Sequence, residues 1–106
     1  MFAVGNSNWN LSFTEHFSAS LQRSDGSYAL GVTDNSQKTI FLSNRLHGYM
    51  LDKVLCHELT HVYAFENNCN FEIQTEEIIA DFMSLFGRNI IYMLDDLIEI
   101  LEKIAA

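Results

Sequence analysis

Apolar and polar residues alternate at Trp9, Leu11 and Phe13, and again at Tyr28, Leu30 and Val32, the two-residue period of strands with one covered face. Asp25-Gly26 marks a turn between these runs, Asp34-Asn35-Ser36-Gln37 is rich in turn formers, and Thr39 to Leu42 is β-branched and apolar. Residues 28–42 therefore predict a β-hairpin. The stretch up to Gln22 fits neither period and predicts at most a short helix over the sheet. Beyond Ser43 and Asn44, which lead into a turn, the period changes. Val54, Leu55, Leu59, Val62 and Phe65 recur at helical spacing with no glycine or proline among them. Asn67-Asn68-Cys69-Asn70 ends that helix. A second helix, N-capped at Thr75, runs from Glu76 toward Ala105, with Gly87 as its point of interruption. The pattern predicts an α+β domain in which an antiparallel or mixed sheet packs on the helix around residues 54–65 and on a C-terminal helix.

The final segment carries Ile90, Ile91, Leu94, Leu97, Ile98, Leu101 and Ile104 on a face too broad for a solvated helix, with Asp95, Asp96, Glu99, Glu102 and Lys103 opposite. Charges break every apolar run before it could span a bilayer. The expectation is core packing against the sheet and first helix, with homo-oligomerisation through this face as the alternative.

At 106 residues and 48% hydrophobic composition the chain predicts a single domain, residues 1–106, with a modest core. A formal net charge of −8 without any Lys/Arg cluster opposes nucleic acid and anionic membranes as partners. Met1-Phe2-Ala3-Val4-Gly5 has no basic and apolar export pattern, which predicts a cytoplasmic location. Cys56 and Cys69 form no Cys-x-x-Cys pair and are expected to be free thiols.

The densest chemical signal is His57-Glu58-Leu59-Thr60-His61, inside the first helix. Positions i and i+4 stack on one helical face, so both imidazoles can address one metal ion. Glu58, about 100° around the axis from His57, faces the edge of that site and is placed to take a proton from water rather than to bind metal. A catalytic zinc site has three protein ligands and a place for water, so a third ligand is required. Ala64 and Asn67 occupy the places where a metzincin would carry glycine and a third histidine. Glu77-Ile78-Ile79-Ala80-Asp81 instead offers a Glu-x-x-x-Asp pair on one face: Glu77 as ligand, with Glu76 as the competing candidate, and Asp81 as acceptor for a histidine's other ring proton.

The helix from Leu55 to Tyr63 followed by Glu77 and Asp81 resembles the gluzincins, the thermolysin-type branch of the zincin metallopeptidases. The hairpin 31–42 leading into that helix is similar to small bacterial and phage proteins of the ImmA/IrrE-like metallopeptidase family. The resemblance covers about residues 28 to 87. It implies a zincin-like fold, Zn²⁺ bound by His57, His61 and Glu77, Glu58 as general base, and a peptide or protein substrate that adds as a strand beside Tyr28 to Thr33. Many zincins also place a Tyr or His at the oxyanion, and Tyr63, His47 and Tyr92 are the candidates here; His16 is expected at the surface. The function expected is hydrolysis of peptide bonds. A catalytically silent zinc-binding interaction or regulatory module of the same fold is the alternative, against which the retained Glu58 weighs.

Overall fold

The computed structural model describes residues 1–105. Four strands form one mixed sheet: β1 (Phe2–Val4), β2 (Ser7–Thr14), β3 (Gly31–Asp34) and β4 (Thr39–Ser43), in the spatial order β1-β2-β4-β3. β1 and β2 are an antiparallel hairpin, with Phe2 opposite Trp9. β2 and β4 run parallel, with Leu11 beside Ile40 and Phe13 beside Leu42. β4 and β3 are the expected hairpin, with Thr33 opposite Ile40. β3 is consequently an outer strand. It begins at Gly31 rather than at Tyr28, because Tyr28 pairs with Gln22 in a separate bridge. That bridge closes the 22–28 loop, whose turn passes through Gly26 at φ +88°. A single 3₁₀ turn, Ala19–Leu21, is what the ambiguous stretch before Gln22 becomes, and Leu21 is fully buried beneath it.

The long helix α1 (Gly48–Glu66) lies on the sheet. Trp9, Ile40, Leu42 and Val62 lose all contact with water there, joined by Val4 and Leu46, while Leu51, Val54, Leu55 and Leu59 pack against them from the helix. The alternation in β2 is only partly used: Trp9 is sealed, whereas Leu11 and Phe13 stay about half exposed. The last turn of α1 is anchored by Glu66. Its carboxylate accepts hydrogen bonds from Ser7 Oγ at 2.6 Å, Trp9 Nε1 at 3.1 Å and Lys38 Nζ at 2.8 Å. The Lys38 ammonium above all, then the Ser7 hydroxyl and the Trp9 indole, hold this carboxyl down at about 2.

Gly31 is where sheet and helix come closest. A Cβ built there would stand 2.8 Å from Val54 Cγ1 and 3.1 Å from Glu58 Cγ, so only glycine lets β3 lie against this part of α1.

The second helical stretch departs from expectation in three ways. α2 (Ile73–Phe82) starts three residues earlier than expected, with Glu72 rather than Thr75 at the N-cap; the Glu76 amide donates to the Glu72 carbonyl at 2.9 Å. Gly87 does mark an interruption, but as the end of a π-helical turn, Met83–Gly87, that passes directly into α3 (Arg88–Ala105). The third departure is α3 itself. It packs on the π-turn and is tied to α1 by Arg88 on Asp52 at 2.6 Å, yet no residue along it is buried, so the expected packing on the sheet and first helix is absent. It projects instead. The chain measures 57 × 30 × 28 Å, and its radius of gyration of 16.4 Å exceeds the ~13 Å of a compact chain this long. Among the described residues no helix is long and apolar enough to cross a membrane. Cys56 and Cys69 are both free; burial and the nearby Asp52 push the Cys56 thiol up.

Candidate metal centre

Helical spacing stacks His57 and His61 on the face of α1 that looks toward α2, and their Nε2 atoms stand 3.2 Å apart. The loop 67–72 returns the chain so that α2 crosses in front of them. Glu77 then brings one carboxylate oxygen to 3.2 Å from His57 Nε2 and the other to 2.8 Å from His61 Nε2. These three side chains offer ligand atoms that all lie within 4.8 Å of one another, and they could hold a metal ion.

The histidines are fixed from behind. His57 Nδ1 is 2.9 Å from Asp81 Oδ1, and His61 Nδ1 is 2.6 Å from Glu76 Oε2. Each ring thus has a carboxylate at both nitrogens, Asp81 or Glu76 at Nδ1 and Glu77 at Nε2; a hydrogen donated from Nδ1 would leave the Nε2 lone pair for a metal ion. In that tautomer two lone pairs and a carboxylate would converge on one point, an arrangement that a cation satisfies. Zinc bonds of about 2.0–2.1 Å in a tetrahedron set donor atoms roughly 3.3 Å apart, close to the spacings found. The donor set fits such an ion. Glu76 and Glu77, neighbours in sequence and about 100° apart around α2, divide the work: one stands behind His61, the other faces both rings.

Glu58 points to the rim of this cluster. Its Oε2 is 3.9 Å from His57 Nε2, and its Oε1 accepts a hydrogen bond from Thr33 Oγ1 at 3.0 Å, which ties it to β3. The residue is only 7% exposed. Burial pushes its carboxyl up and Glu77 adds to that, while His57, His61 and the Thr33 hydroxyl pull the other way.

A cleft of about 470 Å³ opens over these groups. It is walled by Gly31, Val32 and Thr33 on one side and by Glu76, Glu77 and Asp81 on the other, with Arg23 also on its wall. An adjoining hollow continues past Tyr28, Leu30 and Lys53. β3 is therefore the strand beside the cleft, and the sheet has no further strand outside it.

His57, Glu58, His61, Glu77 and Asp81 are brought together as their spacing predicts. Three other candidates are not. Tyr63 is 55% exposed and lines a separate apolar hollow with Leu11, Leu55 and Leu59, because its place on α1 turns it away from the histidines. His47 precedes α1, its Nδ1 3.2 Å from the Arg45 carbonyl oxygen. Tyr92 lies on the projecting α3 and is 60% exposed. None of the three lines the cleft. His16 also stays outside it, half buried with Nδ1 3.2 Å from Ser43 Oγ.

The sequence reading did not anticipate Glu76 as the partner of His61, Thr33 as donor to Glu58, or Arg23 in the cleft wall. Only Glu76 had a usable signal, its position next to Glu77. The other two depend on how the 22–34 segment folds back on α1. No family model, no curated protein and no solved structure matches this chain.

Proposed function

We propose that the chain is a zinc-dependent metallopeptidase of small zincin-like fold, related in its working parts to the gluzincins and the ImmA/IrrE-like group. One observation carries the proposal: the Nε2 atoms of His57 and His61 converge with the Glu77 carboxylate, and a buried carboxylate that completes no ligand set, Glu58, stands 3.9 Å from one of them. A structural site is closed by four protein ligands and has no use for a base standing beside three of them.

His57, His61 and Glu77 would hold the ion. When bound, zinc supplies a Lewis acid that brings the pKa of water to about 7 and polarises a carbonyl. Glu58 takes the proton from the attacking water and returns it to the leaving amine. Its burial favours this exchange, because a carboxyl raised above its ordinary range is a better proton acceptor. Thr33 keeps Glu58 turned into the cleft. Asp81 and Glu76 keep both rings in the ligand tautomer. An extended peptide would add to the open side of β3 by main-chain hydrogen bonds, with its scissile carbonyl over the cluster. Arg23 is the cation available in the cleft wall to balance charge developing on that carbonyl oxygen.

The absence of Tyr63, His47 and Tyr92 from the cleft favours a second reading, a zinc-binding interaction module without activity. One experiment separates the two. Zinc content and cleavage of a broad peptide library are measured for wild type and Glu58→Gln. The peptidase reading expects about one zinc per chain in both and a loss of at least roughly 100-fold in cleavage for the variant. Equal cleavage by both proteins removes Glu58 from the mechanism. Zinc in both with cleavage by neither leaves the interaction module.

A further inference from the structure

We propose that α3 is an assembly helix, and that it pairs antiparallel with α3 of a second copy of this chain. The proposal is independent of the peptidase reading.

The pattern along α3 is regular. With Ile90 opening a seven-residue repeat, the first, second, fourth and fifth places are apolar throughout, as at Ile90, Ile91, Met93 and Leu94 and again at Leu97 and Ile98. The third, sixth and seventh are polar, from Arg88 and Asn89 to Glu102 and Lys103. A face four places wide is meant to be covered from more than one side. Among the described residues nothing buries it. Ile90, Leu94, Leu97, Ile98 and Leu101 are each 45–57% exposed, and Phe82, Met83, Leu85 and Phe86 extend the bare surface onto the π-turn. The apolar side chains of α3 leave on the order of 1,000 Å² in water, against about 300–600 Å² for the largest patch of an ordinary monomer and about 800 Å² per partner in a stable interface. An 18-residue helix with half its side chains apolar has little stability alone in water, so its cover decides whether it forms.

Charge selects the occupant and its direction. Helices that lie on membranes carry Lys and Arg on their polar face, whereas this one carries Asp95, Asp96, Glu99 and Glu102. A parallel pair would set those four acids beside their own copies. An antiparallel pair centred between Met93 and Leu94 sets them along residues 85–92 of the second copy, a stretch with no acid whose one basic residue, Arg88, is paired with Asp52. It also opposes the two helix dipoles. In that register the C-terminal half of each α3 covers the Phe86 and Ile90 region of the other, which an unaided α3 cannot reach.

The first measurement is mass in solution by light scattering at about 100 μM. The expected value is twice the 12.1 kDa of the chain. Leu97→Glu with Leu101→Glu should return it to the monomer value and lower the helix signal, while the emission of Trp9, fully buried in the core between sheet and α1, stays at the wild-type wavelength and shows that the rest is folded. Direction is read from spin labels at Lys103→Cys in a Cys56→Ala, Cys69→Ser background. Antiparallel pairing separates the two labels by about 30 Å, parallel pairing by about 10–15 Å. A monomeric wild type overturns the proposal, including one that binds zwitterionic vesicles instead. So does a double variant that keeps the dimer mass, and a short label distance rejects the antiparallel pair.

Discussion

The two halves of the helical chain treat their side chains in opposite ways. Between α1 and α2, nearly every polar group has an assigned partner: two imidazoles, each backed by its own carboxylate, and a Glu58 held by Thr33. Along α3 the apolar groups have none. The first region is specified by directional contacts within about 3 Å, which fix position. The second is specified only by periodicity, which fixes what kind of surface is presented and leaves its cover to another body. Precision is found around the paired histidines, and bare apolar surface along α3.

The sharpest test of this contrast is His61→Ala, which removes one of three converging donors. Zinc binding should be lost altogether, as measured by metal analysis after dialysis, whereas Leu101→Glu on α3 should leave zinc content unchanged. Retained zinc in His61→Ala would reassign the centre.

The carboxylates behind the histidines should matter less. Asp81→Ala and Glu76→Ala are each expected to weaken zinc about 10- to 100-fold in a chelator competition, with Glu77→Ala worse than either. Glu76 is the buried one of the pair, at 8% exposure, so its loss also leaves His61 without its acceptor inside the protein and should lower the thermal midpoint. If Glu76→Ala loses as much zinc as Glu77→Ala while Asp81→Ala matches wild type, the roles along α2 are shifted by one residue.

Gly31→Ala tests the contact between β3 and α1. The added methyl meets Val54 and the Glu58 side chain, so it should cost about 1–3 kcal/mol in denaturant unfolding. It should also depress cleavage more than zinc affinity, because Glu58 is displaced and the histidines are not. An equal drop in both would place the damage in the whole site.

The smallest effect is expected at Glu66. Its folded pKa, about 2, lies below its ordinary value of 4.5, so the unfolded chain takes up the proton first. The stability this group contributes is present above pH 4.5 and is lost as pH falls from there toward 2. Wild type should accordingly show a falling denaturation midpoint over that window. Glu66→Gln should start lower at neutral pH and slope less on acidification; parallel curves would mean that other acids dominate.

Much of the centre was legible in the sequence because it is built from local spacing. His57 and His61 are one turn apart, as are Glu77 and Asp81, and helices convert such spacing into a shared face without reference to the rest of the fold. The β3–β4 hairpin was legible for the same reason, from alternation and turn residues. The parallel pairing of β2 with β4 was not, since nothing local encodes which strand lies beside which. Thr33 and Arg23 reach the cleft through that same long-range arrangement. Thr75 failed as a cap because the Glu72 carbonyl had already opened the helix one turn earlier. The oxyanion candidates failed because an aromatic residue on a helix says nothing about which side it faces until its neighbours are known. For α3 the amphipathic pattern was plain, and the error lay in supposing that an apolar face is always covered by its own chain.

The π-turn at Met83–Gly87 holds about one residue more than a regular turn and absorbs it by widening, so α3 keeps the heading that a regular helix one residue shorter would give it. Asp81 lies before this turn and Arg88 after it. Loss of a single codon, such as that for Ser84, would let α2 and α3 run on as one regular helix with Glu76, Glu77 and Asp81 at their posts and the greasy face of α3 close to its present heading. Straightening the turn with every residue kept would instead swing that face by about 100°, so the widened turn is what holds the direction of α3 relative to the histidine cluster.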